Sequence, residues 1–289
     1  MKLSGFAYHA PSTLAETTAI LVETASDAAV LAGGQSLVPM LAMRVAEIGH
    51  LVDINRVAEL QDIARTNGTL SIGAGVRQQQ ALRSDVVRAA CPLICEALPH
   101  VGLPETRNRG TVVGSLAHGD PAAELSAVAV ALDAELVLRL GAVERVVTAE
   151  EFFIAPYMTA KAPGEIVTEL RLPVSSSRAG WAFHELERGP FALVAVAAGV
   201  ELDEGGNIVD VRLAFAGVGV GPVRAHAAEL LLRGGGTSDA TIADAVESAL
   251  AELDPPSDVL ASAAYRRRVA GELAKIALRQ AADRARSAP

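Results

Sequence analysis

Strand-like and helix-like segments do not alternate regularly along this 289-residue sequence, which argues against a parallel sheet built from repeated βαβ units. Hairpins bracket helical stretches in the first half, and a strand pair precedes three helices in the second. Thr13-Leu14-Ala15-Glu16 forms a capping box before an Ala-rich helix to about Thr24. The apolar run Ala29–Ala32 stops at Gly33-Gly34 and a helix opens near Ser36–Pro39, a unit whose turn exposes backbone N–H groups. Leu51–Ile54 reads as a strand. Leu60–Arg65 and Thr69–Ala74 flank Asn67-Gly68, the pair favoured in a two-residue hairpin turn because both positions need positive φ.

Helical periodicity returns over Asp85–Leu98, followed by the polar stretch Gly102–Gly110 and a β-branched segment, Thr111-Val112-Val113, that Gly114-Ser115 interrupts. Ala122–Leu132 reads as a helix, Glu135–Leu140 with Arg145–Thr148 as a hairpin around Gly141, and Ile166–Leu172 as a strand ended by Pro173. The polar run Ser175-Ser176-Ser177 is the best linker in the chain and divides it into domains 1–175 and 178–289. Beyond it, strands at Val194–Leu202 and Ile208–Phe215 are joined through Glu204–Asn207, and helices follow over Ala227–Arg233, Thr241–Leu253 and Tyr265–Ala282. The fold class is α+β in both halves.

Hydrophobic residues make up 51% and aromatics only 3%, so Ala, Val and Leu must fill the core. A net charge of −9 argues against a nucleic-acid partner, and the only lysines are Lys2, Lys161 and Lys275. No apolar run reaches the ~20 residues of a membrane span, and no secretory signal opens the chain, which makes a cytoplasmic location the default. Cys91 and Cys95, spaced as neighbours on one helix face, are too few to close a zinc or iron–sulfur site and read as buried free thiols.

Several chemistries are absent. There is no Walker-type Gly-Lys-Ser/Thr, and Gly73-Ala74-Gly75 lacks the third glycine of a dinucleotide fingerprint because Gln78 stands there. Gly217–Gly221 is followed by Pro222 and reads as a strand end or loop. Gly34-Gln35-Ser36 lacks the second glycine of a nucleophile elbow, and the six histidines are too scattered to bind a catalytic metal. Two glycine-bearing turns remain, Ala32-Gly33-Gly34-Gln35-Ser36 and Thr111-Val112-Val113-Gly114-Ser115. Each offers N–H donors suited to a diphosphate, although on spacing alone two ordinary tight turns explain them more simply.

The residues around these turns carry a resemblance. Ala32–Leu41 resembles the first flavin loop of the FAD-binding subunits of molybdenum hydroxylases, the carbon monoxide dehydrogenase and xanthine dehydrogenase group. Arg107–Ser115 with Asp120–Leu125 is similar to the second loop and the helix after it, and the likeness continues through Glu165–Pro173, Phe183–Arg188 and Tyr265-Arg266-Arg267. The resemblance implies a vanillyl-alcohol-oxidase-type FAD domain of two subdomains, about 1–55 and 56–175, plus a C-terminal α+β domain. It implies noncovalent FAD contacted by Ala32, Gly33, Gly34, Gln35, Ser36, Leu37, Thr111, Val113, Gly114 and Ser115. Glu124 would accept from ribityl or ribose hydroxyls, Val167 would pack near the flavin, His184 would place a cation by it and Phe191 would cover one ring face. Core packing explains Val167 equally well, and a surface or satisfied histidine explains His184.

The sequence departs from the family at Gln35 for a frequent His, at Val113 for the first of two glycines, at Ser115 for a larger polar residue, at Glu124, which lengthens an acid, and at Pro190 for an acid. The resemblance further implies an electron-transfer role in a heterotrimer. Molybdopterin would sit on a large partner and [2Fe–2S] clusters on a small one, and the complex would form a dimer of heterotrimers. A stand-alone flavin oxidase and a flavin-free assembly protein are the rival readings; the first lacks an acid–base cluster and the second would need degraded loops.

Overall fold

The computed structural model describes residues 3–189 and 191–288, with Phe191 as backbone only. Against the expectation drawn from irregular alternation, two successive βαβ units open the chain as a parallel three-stranded sheet: β1 (Ala7–His9), β2 (Ala28–Leu31) and β3 (His50–Asp53), ordered β1-β3-β2. Helix α1 (Leu14–Thr24) crosses between β1 and β2. Its Thr13 hydroxyl caps the Glu16 N–H, while the Glu16 carboxylate accepts from Ser12 N–H, one residue earlier than a standard capping box. After β2 and the Gly33-Gly34 turn comes the short α2 (Leu37–Ala42), as the sequence leads one to expect.

A five-stranded antiparallel sheet follows, ordered β4-β5-β10-β6-β7. Its members are β4 (Ile63–Thr66), β5 (Thr69–Gly73), β6 (Glu135–Leu140), β7 (Val143–Thr148) and, beyond the one-turn α9 (Ala149–Phe152) and the small ribbon of β8 (Phe153–Ala155) and β9 (Met158–Thr159), β10 (Ile166–Pro173). Asn67 and Gly68 take φ of 51° and 80°, as the β4–β5 turn demands. Between β5 and β6 lie α3 (Gln78–Arg83), α4 (Asp85–Ala90), α5 (Pro92–Ala97), α6 (Pro104–Arg109), α7 (Val112–His118) and α8 (Glu124–Ala131). The periodic stretch Asp85–Leu98 is thus two helices, because Pro92 forces Cys91 out of the α region, to φ −142°. Cys91 is a buried free thiol, pushed up to about 12 by desolvation, and is not on one helix with Cys95.

Two further expectations change. The polar stretch Gly102–Gly110 contains α6, and the β-branched segment at Thr111 begins α7, where the Thr111 hydroxyl accepts from Gly114 N–H at 3.0 Å.

A four-stranded antiparallel sheet, β11 (Ala179–Arg188), β12 (Phe191–Leu202), β13 (Ile208–Ala216) and β14 (Val223–Arg224), carries α10 (His226–Leu232), α11 (Asp239–Glu252) and α12 (Ala263–Arg286). Gly217–Gly221 is the loop between β13 and β14, as read from the sequence. Both faces of this sheet are buried. Val194, Val196, Leu213 and Phe215 pack into a core shared with the helices. Ala195, Ala197, Ala214 and Ala216 join Trp181 and Phe183 in the core of the first half. All eight residues of α8, which contacts that alanine face, are buried, so this helix has no solvent side. Among the described residues no helix is long and apolar enough to cross a membrane.

Candidate functional site

The two glycine segments, 78 positions apart at Gly33 and Thr111, are brought against each other. A Cβ on Gly33 would stand 2.5 Å from both the Arg109 carbonyl oxygen and Gly110 Cα, a distance no side chain tolerates. Backbone bonds fix the second segment: Val112 N–H donates to the Val76 carbonyl at 3.1 Å and Gln78 N–H to the Gly110 carbonyl at 2.9 Å. A polar tie joins the two. Asn55 Nδ2 donates to the Ala32 carbonyl at 3.0 Å, while the Arg77 guanidinium donates to both Asn55 Oδ1 and the Arg109 carbonyl.

The seam opens into a cleft of about 440 Å³. Of the residues expected there, Ala32, Gly33, Gly34, Gln35, Ser36, Leu37, Thr111, Val113, Gly114, Ser115, Glu124 and Val167 line it. Among the described residues, none of Gly33, Gly34, Gln35, Ser36 or Leu37 donates its backbone N–H to another protein group, and Val113 N–H is equally unpartnered. Gly34 adopts φ +74°, which turns this run of donors, and its neighbour Gly33 admits the second segment. Adjacent unpartnered N–H groups form a concavity for an anion such as a diphosphate.

His184 is not brought to the cleft. It lies on β11 with Nε2 against Gln280 Oε1 of α12, whereas its strand neighbours Phe183 and Glu185 both meet His100, as strand alternation requires. Pro190 and the Phe191 side chain lie outside the described residues; the next residue, Ala192, lines the cleft. Val167 is both a wall of the cleft and a core residue, 4% exposed.

Sequence reasoning missed several wall residues. Gln78 is buried among them, and its Oε1 lacks any hydrogen-bond partner. Lys161 also lines it, its ammonium lowered by burial against the opposing pull of Glu165, whose carboxylate Arg145 holds at 2.7 Å. Its rarity in a lysine-poor chain was the one available signal. Asn55 and Arg77 gave none, since their partners are distant in sequence.

Glu124 begins α8 and is 8% exposed. Burial pushes its carboxyl up to about 8, and nearby Glu185 and Asp120 add repulsion. The neutral form can donate as well as accept a hydrogen bond. Because the folded group titrates near 8 and the unfolded one near 4.5, its favourable contribution is complete below 4.5 and is lost as pH rises to 8. Thermal midpoints of wild type minus Glu124→Gln should therefore fall across that window and level off above it. A difference independent of pH would show that the carboxyl is ionised throughout.

Lining and donor set together fit a flavin dinucleotide: a cleft between two backbone segments, peptide N–H groups for the diphosphate, and aliphatic walls. The comparisons agree. Residues 4–175 match the family described as FAD binding domain in molybdopterin dehydrogenase, and residues 181–281 match the CO dehydrogenase flavoprotein C-terminal domain. The carbon monoxide dehydrogenase medium chain of Hydrogenophaga pseudoflava is 35% identical over 277 residues, covering 96% of each chain. The caffeine dehydrogenase subunit beta of Pseudomonas sp. (strain CBB1) is 36% identical over 287 residues, covering 98% of this chain and 97% of its own. In three dimensions, a chain of the H. pseudoflava carbon monoxide dehydrogenase lacking the Mo-pyranopterin moiety superposes with a TM-score of 0.95 at 37% identity, covering 98% of this chain and 99% of that one. The fold and cleft therefore define an FAD-binding flavoprotein. The chain belongs to the medium, FAD-binding subunits of the molybdenum hydroxylases, which are oxidoreductase components.

Proposed function

We propose that this chain holds FAD noncovalently in the cleft between the Gly33 and Gly114 segments. It receives electrons from [2Fe–2S] clusters of a small partner subunit and delivers them to an external acceptor. The observation that carries the site is the run of unpartnered N–H groups at Gly33–Leu37 beside that of Val113. In this reading the N–H groups of Gly33–Ser36 and Val113 hold the diphosphate, with Gly114 and Ser115 flanking it although their own N–H groups are given to Thr111; Glu124 orients sugar hydroxyls, and Val167 with Ala192 excludes water from an apolar wall. Bound FAD supplies a carrier able to exchange electrons singly or in pairs. The two cysteines fall short of the about four thiolates that an ordinary iron–sulfur cluster takes, so this reading gives the clusters to the small partner and the molybdopterin to a large one.

We further assign the FAD-binding domain to residues 1–175, with subdomains of about 1–55 and 56–175, and the C-terminal domain to 178–289. The assembly is a dimer of heterotrimers. Its free thiols suit a reducing, cytoplasmic setting.

The test is spectroscopic. Acid or heat should release the yellow colour from precipitated protein, and substrate should bleach flavin absorbance only in the presence of both partner subunits. Flavin that stays with the precipitate overturns noncovalent binding. Bleaching of the isolated chain by an organic substrate would make it an oxidase in its own right.

A further inference from the structure

At the seam between the two halves, one buried carboxylate has only a histidine and a second carboxylate beside it. The Glu185 side chain on β11 is only 1% exposed, and neither of its oxygens has a hydrogen-bond partner among the described residues. Isolated ionised carboxylates are excluded from protein interiors unless a cation or proton joins them. Neither Glu185 nor Glu187 has a lysine or arginine within salt-bridge reach among the described residues; the basic group they share is His100. His100 comes from the 3₁₀ turn Leu98–His100 that follows α5. Its Nδ1 lies 3.3 Å from Glu185 Oε1, without hydrogen-bond geometry, and 3.9 Å from Glu187 Oε1.

The backbone explains the convergence. Glu185 and Glu187 stand two apart on one strand and so share a face, with the β11–β12 register shifting between Leu186 and Glu187. Phe183, on the same face, packs its ring against His100 with centroids 5.2 Å apart, which fixes the imidazole from below.

We propose that His100, Glu185 and Glu187 form a divalent-cation site that clips the C-terminal half onto the FAD-binding half. Their ligand atoms all lie within 4.8 Å of one another. Separations of 3.3 and 3.9 Å match neighbouring ligands around an ion bonded at about 2.0–2.2 Å. Two carboxylates and one imidazole favour a first-row ion such as Zn²⁺ over Ca²⁺ or Mg²⁺, which take oxygen ligands. The positive charge would neutralise the two carboxylates. Glu187 and His100, 56% and 36% exposed, leave a side open for entry and for water to complete the shell.

The test uses the full-length chain, stripped with chelator, equilibrated with Zn²⁺ and freed of excess ion by gel filtration. Wild type should retain about one Zn²⁺ per chain, and its thermal midpoint should rise with Zn²⁺ concentration. His100→Ala should lose the ion, and Glu187→Gln, at an exposed position, should weaken binding by at least about tenfold. Glu185→Gln should lose the ion yet melt no lower than metal-free wild type, because the buried charge is gone. His9 and His50, whose rings contact at 3.0 Å, are the competing binders, so His9→Ala should retain Zn²⁺. Failure of wild type to hold Zn²⁺, or full retention by His100→Ala, overturns the proposal.

Discussion

Replacing Gly33 by alanine should remove most of the flavin. The added Cβ meets the Arg109 carbonyl oxygen and Gly110 Cα at 2.5 Å, both backbone atoms that cannot rotate aside. The segments must separate, and the unpartnered N–H groups of residues 33–37 lose alignment with that of Val113. Losing one or two hydrogen bonds to a charged phosphate costs about 3 kcal/mol, or roughly a hundredfold in FAD affinity. Gly33→Asp adds a carboxylate beside the diphosphate and should be worse. Gly114→Ala acts differently, since its Cβ would crowd the Thr111 hydroxyl and disturb the α7 cap. Flavin content by absorbance, read beside far-ultraviolet circular dichroism, checks this. A folded Gly33→Ala protein with full flavin content would show that the segments do not clamp the ligand.

The largest loss of stability should come from Arg224→Met. Arg224 and Glu229 are each only 4% exposed, bridged Nε to Oε1 at 2.8 Å. Glu229 also accepts from Leu213 N–H at 2.9 Å, and Arg224 reaches across the seam to the Asp133 carboxylate and the Val130 carbonyl. Removing the guanidinium strands a buried carboxylate, a loss of about 3–5 kcal/mol. Adding Glu229→Gln removes the second charge while keeping an acceptor for Leu213 N–H, so the double variant should recover much of that loss. Urea titrations of wild type and both variants measure it. Equal stability of the single and double variants would mean the carboxylate is not stranded.

Much of the architecture was legible because its signals are local. Asn67-Gly68 dictated a hairpin through backbone φ, Pro173 ended a strand, and Gly33-Gly34 marked a strand–turn–helix unit. Thr111-Val112-Val113 misled because β-branched residues favour strands, yet Thr is also a good helix cap and that role prevailed. β11 gave little warning, since Glu185 and Glu187 break its apolar pattern while meeting His100 at the seam rather than solvent alone. The flavin loops could be recognised residue by residue, but the Asn55–Arg77 tie between them could not, since each partner is set by the fold. His184 failed for a simple reason: one step along a strand reverses the face, and the step to Glu185 separates α12 from the seam.

The alanine face of the C-terminal sheet bears on how such subunits can diverge. Ala195, Ala197, Ala214 and Ala216 set how closely α8 approaches, and α8 begins with Glu124 in the cleft wall. A larger side chain at any of the four would tilt or lift that helix and carry Glu124 with it. Exchange of C-terminal halves between homologues is therefore constrained by four methyl groups that do not line the cleft. A chimera that mismatches them should assemble with its flavin pocket out of alignment, even when every residue lining that pocket is unchanged.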